Sequence, residues 1–168
     1  MAVENKYVNS NTASDKLESA VFVHGDKVTI AVQTFELAAA DDDGSIYRLW
    51  KNIPADLIPV QIHIASDAVT SGTDWDLGFY KPSVGGVDGA VIDKDKLADG
   101  LDLSSASTWA SPKDGLENLD LAEVNERIYT LAGDTLDTKQ LGYDIALTAN
   151  TVGSAAVTVS VKAIFVQG

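Results

Sequence analysis

Ile58-Pro59-Val60-Gln61-Ile62-His63-Ile64-Ala65 decides the fold class of this chain. Ile58, Val60, Ile62 and Ile64 alternate with Pro59, Gln61, His63 and Ala65. A period of two turns one set toward a core and the other toward a wetter face, which predicts a β-strand. Pro59 falls at the strand start, where a missing N–H is tolerated. The same pattern recurs downstream, where Trp75, Leu77 and Phe79 point one way and Asp74, Asp76 and Gly78 the other. Upstream, Val28, Ile30 and Val32 shift parity to Phe35 and Leu37, which predicts a β-bulge near Gln33 or Thr34. Asp41-Asp42-Asp43-Gly44-Ser45 reads as a turn, because Asp and Gly tolerate left-handed backbone angles. A strand follows, with Tyr47 and Leu49 on one face and Arg48 and Trp50 on the other.

The C-terminal end repeats the alternation twice. Tyr143, Ile145 and Leu147 lead to a turn at Asn150-Thr151-Val152-Gly153, followed by Val157, Val159, Val161, Ala163 and Phe165. This predicts a closing hairpin whose last strand nearly reaches residue 168. Helical signals are few. Asp120 with Glu123 forms a capping pair ahead of Leu121, Val124, Ile128 and Leu131, and Gly133 provides a stop. Residues 81–119 hold many Gly, Ser and Pro, and read as a long excursion with a helical turn near Asp95 to Ala98. Residues 1–19 are polar and aperiodic, the pattern of an extended or flexible arm. The expected organisation is therefore an arm at 1–19 and one domain at 20–168. That domain is mainly β: an antiparallel, jelly-roll-like β-sandwich with one short helix.

Composition narrows the function. The 168 residues fit one domain, able to bury roughly 70% of its unfolded surface without staples. There is no cysteine, which removes disulfides, thiolate nucleophiles and Cys-ligated zinc, and suits assembly in a reducing cytoplasm. Twenty-five acidic residues against 12 basic ones leave a formal charge of −13. That balance disfavours nucleic acid and anionic membranes as partners, since both are bound through clustered Lys and Arg. No basic leader precedes an apolar run at the start, and no apolar stretch is long enough to span a bilayer.

The search for chemistry returns little. His24 and His63 are the only histidines, and neither stands in a nucleophile motif. Asp74 and Asp76 share a strand face about 7 Å apart, near the spacing of a glycosidase pair, but two aspartates on a wet face need no catalytic reason. Asp93-Lys94-Asp95 with Asp99-Gly100 fails the order of a calcium loop. No cofactor, metal or catalytic residue is assigned. Trp75 is in phase with the core. Trp50 sits out of phase with Leu49, on the second face or at an interface. Trp109, in a loose Ser/Thr-rich segment, is the best candidate for an intersubunit anchor.

Several stretches carry a resemblance. They are Asn5-Lys6-Tyr7-Val8, the run from Ala38 to Arg48, Asp74-Trp75-Asp76-Leu77-Gly78-Phe79-Tyr80, the run from Gly89 to Leu101, and the ending Tyr143 to Thr151 with Phe165 to Gly168. Together they resemble structural proteins of tailed-bacteriophage virions, of the head-decoration or cement type. The resemblance implies a non-enzymatic β-sandwich on the capsid exterior, assembled in the host cytoplasm, bound to the major capsid protein lattice and homo-oligomeric, with a trimer favoured. It also implies an arm that reaches the capsid or a neighbour. The partner-binding candidates are then Tyr7, Val8, Trp50 and Trp109. Two other readings stay open: a tail or neck component, and a carbohydrate-binding sandwich using Asp74, Asp76 and exposed tryptophans.

Overall fold

In a computed structural model, residues 28–39, 41–85, 87–153 and 156–168 are described in full and residues 5–7 by their backbone. Val8 and His24 lie outside the described residues. The elements are β1 (Asn5–Tyr7), β2 (Val28–Leu37), β3 (Ser45–Pro54), β4 (Leu57–Ser66), β5 (Asp74–Tyr80), β6 (Val91–Leu101), β7 (Lys113–Asp114), α1 (Ile128–Leu131), β8 (Gly142–Thr151) and β9 (Val157–Gln167). One sheet runs β1-β3-β8-β5-β6 and the other β2-β9-β4-β7. With β1 set aside, 3-8-5-6 faces 2-9-4-7, and the sheet interleaving of these eight strands is that of a jelly roll. Every pairing is antiparallel except β1 on β3, where Asn5, Lys6 and Tyr7 run parallel to Ile46, Tyr47 and Arg48. The described part of the N-terminal segment is thus an added edge strand on its own domain.

The core lies between the sheets. Phe35 stacks on Tyr47 at 5.1 Å, Tyr47 leans on Trp75 at 5.8 Å, and Trp50 meets Phe165 edge-on at 5.9 Å. These contacts cross from one sheet to the other or run along an inner face, as sandwich packing requires. β5 and β8 sit centrally and are covered on both sides, so the alternation of Trp75, Leu77 and Phe79 hides a second buried set, Asp76, Gly78 and Tyr80.

Local details differ from expectation for physical reasons. β2 has no bulge: its register with β9 is unbroken from Val28↔Val166 to Leu37↔Val157. Ala31, Gln33, Phe35 and Leu37 face inward, so the parity shift marks a change of face by the apolar residues, from outside to inside. The bulges lie elsewhere. One in β4, between Pro59 and Gln61, buries Pro59 and leaves Val60 53% exposed, while Ile62 and Ile64 remain fully enclosed. Another in β3, after Arg48, turns Trp50 inward beside Leu49. The 81–119 excursion contains an eleven-residue strand, β6, where a helical turn is predicted at 95–98. β8 and β9 do not form a hairpin; the 152–156 connection carries the chain from one sheet to the other.

The predicted helix shrinks to α1. Half of the capping pair forms: the Asp120 N–H donates to Glu123 Oε2 at 3.2 Å, while the Glu123 N–H goes to the Asp120 backbone carbonyl at 2.8 Å; Gly133 does stop the helix, at φ 81°. Between them, however, Leu121 is 98% exposed and Arg127 is extended. A helical stripe with no surface to pack on gains too little to propagate.

Candidate functional site

The polar residues that could carry chemistry are committed to holding the sheets and loops. Arg48 leaves the outer face of β3 and is fully enclosed. Its Nη1 donates to Asp144 of β8 at 2.9 Å and to the Lys81 carbonyl at 3.3 Å, and its Nη2 donates to the Gly89 carbonyl. The guanidinium also lies 4.9 Å over the Tyr80 ring. Burial pushes the Asp144 carboxyl up from its ordinary pKa, against the pull of the Asn52 N–H and of Arg48. Lys81 N–H closes on the Ala90 carbonyl at 2.9 Å. The β5–β6 loop is therefore clamped at its neck by one buried arginine. Gly89 makes this possible, because a Cβ there would stand 1.7 Å from the Lys81 carbonyl oxygen.

Beyond the neck the loop ends in a tight turn, with Val84 and Val87 exchanging backbone hydrogen bonds at 3.1 Å. Their side chains are 78% and 71% exposed. A second presented tip lies on the β6–β7 connection. Ser107 is fixed to β4 through its N–H to the Ser66 carbonyl at 2.8 Å and its Oγ to the Ser66 N–H at 3.0 Å. The following turn, Thr108 to Ser111, holds Trp109 at its tip, half exposed. Trp109 is thus an aromatic on a braced turn. Val84 and Val87 were missed in the sequence; the available signal was an aliphatic pair bracketing Gly85-Gly86 between two strands.

The remaining sequence candidates are placed differently. Trp50 is 1% exposed and packs against Phe165, so it is a core residue; the β3 bulge is the reason. Trp75 is enclosed, as its phase predicts. Tyr7 belongs to β1 on the edge of the β3 sheet. Asp74 and Asp76 are tied together: Asn150 Nδ2 donates to both, at 2.9 and 2.7 Å, and Lys94 Nζ donates to Asp76 at 2.7 Å. Burial acts to raise the Asp76 pKa, but the hydrogen bonds from Lys94, Asn150 and the Gly100 N–H outweigh it and hold the carboxyl below its ordinary value. Asp76 is a buried, ionised strut. A sugar surface made of Asp76 and Trp50 is not assembled, because both are enclosed.

His63 is half buried on β4, opposite Asp114 of β7. The two line a groove of about 250 Å³ with Gln61, Val60, Leu116 and Val124, and no hydroxyl or thiol lines it. A His–Asp pair without a nucleophile does not make a triad. On β6, burial and the neighbouring Asp95 push the Asp93 carboxyl up. No group of three or more potential metal ligands occurs among the described residues.

Comparison with solved structures finds the same fold in a chain from the capsid of Ralstonia phage GP4. The TM-score is 0.61 at 17% identity, over 99% of this chain and 97% of that one. A chain from the cyanophage Pam1 capsid asymmetric unit aligns over 95% of this chain and 99% of that one, at 14% identity and a TM-score of 0.47. No protein-family description matches the sequence, and no curated protein does.

Proposed function

We propose that this chain is a structural protein of a tailed-bacteriophage virion, bound to the outer capsid surface, where it stabilises the head as a decoration, or cement, protein. The observation that carries the reading is the end-to-end correspondence of its jelly roll with a chain of a phage capsid. The chemistry agrees with it. Charged residues in the interior are spent on bracing, while apolar side chains stand on braced turns at Trp109 and at Val84 and Val87. A pre-ordered turn loses little freedom on docking, and that favours binding. Trp109 is the proposed anchor in the major capsid protein lattice. The rest of residues 1–19, with Val8, is proposed to reach the capsid or a neighbouring copy, and Tyr7 to meet it from β1 on the edge of the β3 sheet. A homo-oligomer, with a trimer favoured, multiplies modest contacts into a firm hold.

Rebinding to stripped capsids tests this. The full chain should bind saturably and raise the temperature at which heads release DNA. Trp109→Ala should weaken that binding by roughly tenfold or more, as loss of a central anchor does, with an unchanged melting temperature. Removal of residues 1–19 should weaken it without unfolding the domain. A folded chain that leaves stripped heads bare overturns the reading.

A further inference from the structure

The outer face of the second sheet carries a surface that the capsid reading does not use. Register places Val28 of β2 beside Val166 of β9, and Val166 beside Ile58 of β4. The next row is Ile30 and Ile164, with the bulged Val60 at its β4 end. The third is Val32, Lys162 and His63. Ala31, Gln33, Phe35 and Leu37, and Val161, Ala163 and Phe165, point into the core, so these rows point outward. Val28 is 41% and Val60 53% exposed, and the other aliphatics are half buried. Three strands at sheet spacing and about six residues along them make a patch of about 15 by 20 Å. That is the size of an interface core, to which Thr34, Ser160 and Gln61 would add a polar rim.

Charge decides what fits it. The chain carries −13, and the outer face of the other sheet displays Asp74 and encloses Asp76 and Asp144. On this face the ionised side chains of β2, β9 and β4 are Lys162 and, at the far end, Glu36, and Asp114 of β7 borders it beside His63. Two copies of an acidic chain can approach only where carboxylates do not face each other. The sheet edges agree. β6 is guarded by Asp93, Lys94, Asp95, Lys96 and Asp99, as an edge strand in water should be. β2, which among the described residues pairs only with β9, has Glu36 as its sole charge. Among the described residues nothing guards this edge, and an open edge flanked by β-branched aliphatics suits a partner.

We infer that a second copy of this chain covers the outer face of β2, β9 and β4. The inference deepens the reading above and rests on its claim of self-association alone. Sedimentation of the full chain, without capsids, tests it. The wild type should form a defined oligomer at micromolar concentration. Ile164→Glu, and separately Val60→Glu at the exposed bulge, should weaken association roughly tenfold or more by setting like charges against each other. Both should keep the wild-type circular dichroism spectrum, and Leu136→Glu, at an exposed position with no assigned role, should leave the oligomer intact. Because the chain has no cysteine, Val60→Cys adds a single thiol whose oxidation should cross-link copies. A monomeric wild type overturns the inference, as does an oligomer that both glutamate variants leave unchanged. An oligomer broken by the glutamates that nonetheless fails to bind stripped heads would uphold this inference and overturn the capsid reading.

Discussion

Arg48 and Asp144 show what single residues contribute. An enclosed ion pair adds little net stability, because both charges lose their water, but losing one partner strands the other. Arg48→Ala should lower the unfolding free energy by about 3–5 kcal/mol, measured by urea titration. Arg48→Met with Asp144→Leu should recover most of that loss while freeing the Lys81 and Gly89 carbonyls of the loop neck. Asp76 gives the pH signature. Its folded pKa is depressed, so its contribution is complete above the unfolded value of about 3.9 and is lost as pH falls through the lower folded value. Asp76→Asn should therefore cost about 1–3 kcal/mol near neutral pH. Its gap to the wild type should close below about pH 4. A constant gap from pH 7 to pH 3 would show that the Lys94 and Asn150 contacts do not act on the ionised form.

At the scale of elements, strands were legible and their joints were not. Alternation located β4, β5, β8 and β9 because inner-face burial imposes period two on any sequence. It did not reveal the bulges, because an extra residue shifts parity without changing composition. Val60 and Trp50 therefore read on the wrong faces, and the parity change in β2 imitated a bulge. The one expected helix is present but only as α1, shorter than its signal, for a related reason: periodicity announces a stripe but not whether anything lies opposite it. This predicts that Leu121→Ser and Val124→Ser change stability by no more than about 0.5 kcal/mol in chemical unfolding, as for ordinary surface positions. In a true amphipathic helix the same changes would be costly. The exposed place of Trp109 was legible, since an aromatic in a Ser/Thr-rich segment has no core face to join. Val84 and Val87 were not, because their presentation depends on Arg48, which lies 33 residues before Lys81 in sequence.

For the whole molecule, the two sheets differ in what they offer. One sheet encloses an ionised bracing network beneath a clamped loop, and the other turns aliphatics outward across three strands. Under the proposed function, both arrangements suit a module held between neighbours. The jelly roll is shared, at the level of fold, with a chain of a phage capsid. The most direct measurement is a cryo-electron map of the phage particle that carries this protein. The account predicts the jelly roll on the outer surface of the head, in symmetric clusters, with Trp109 against the shell. Density for the chain at the tail or neck, or a head surface without it, would contradict the account.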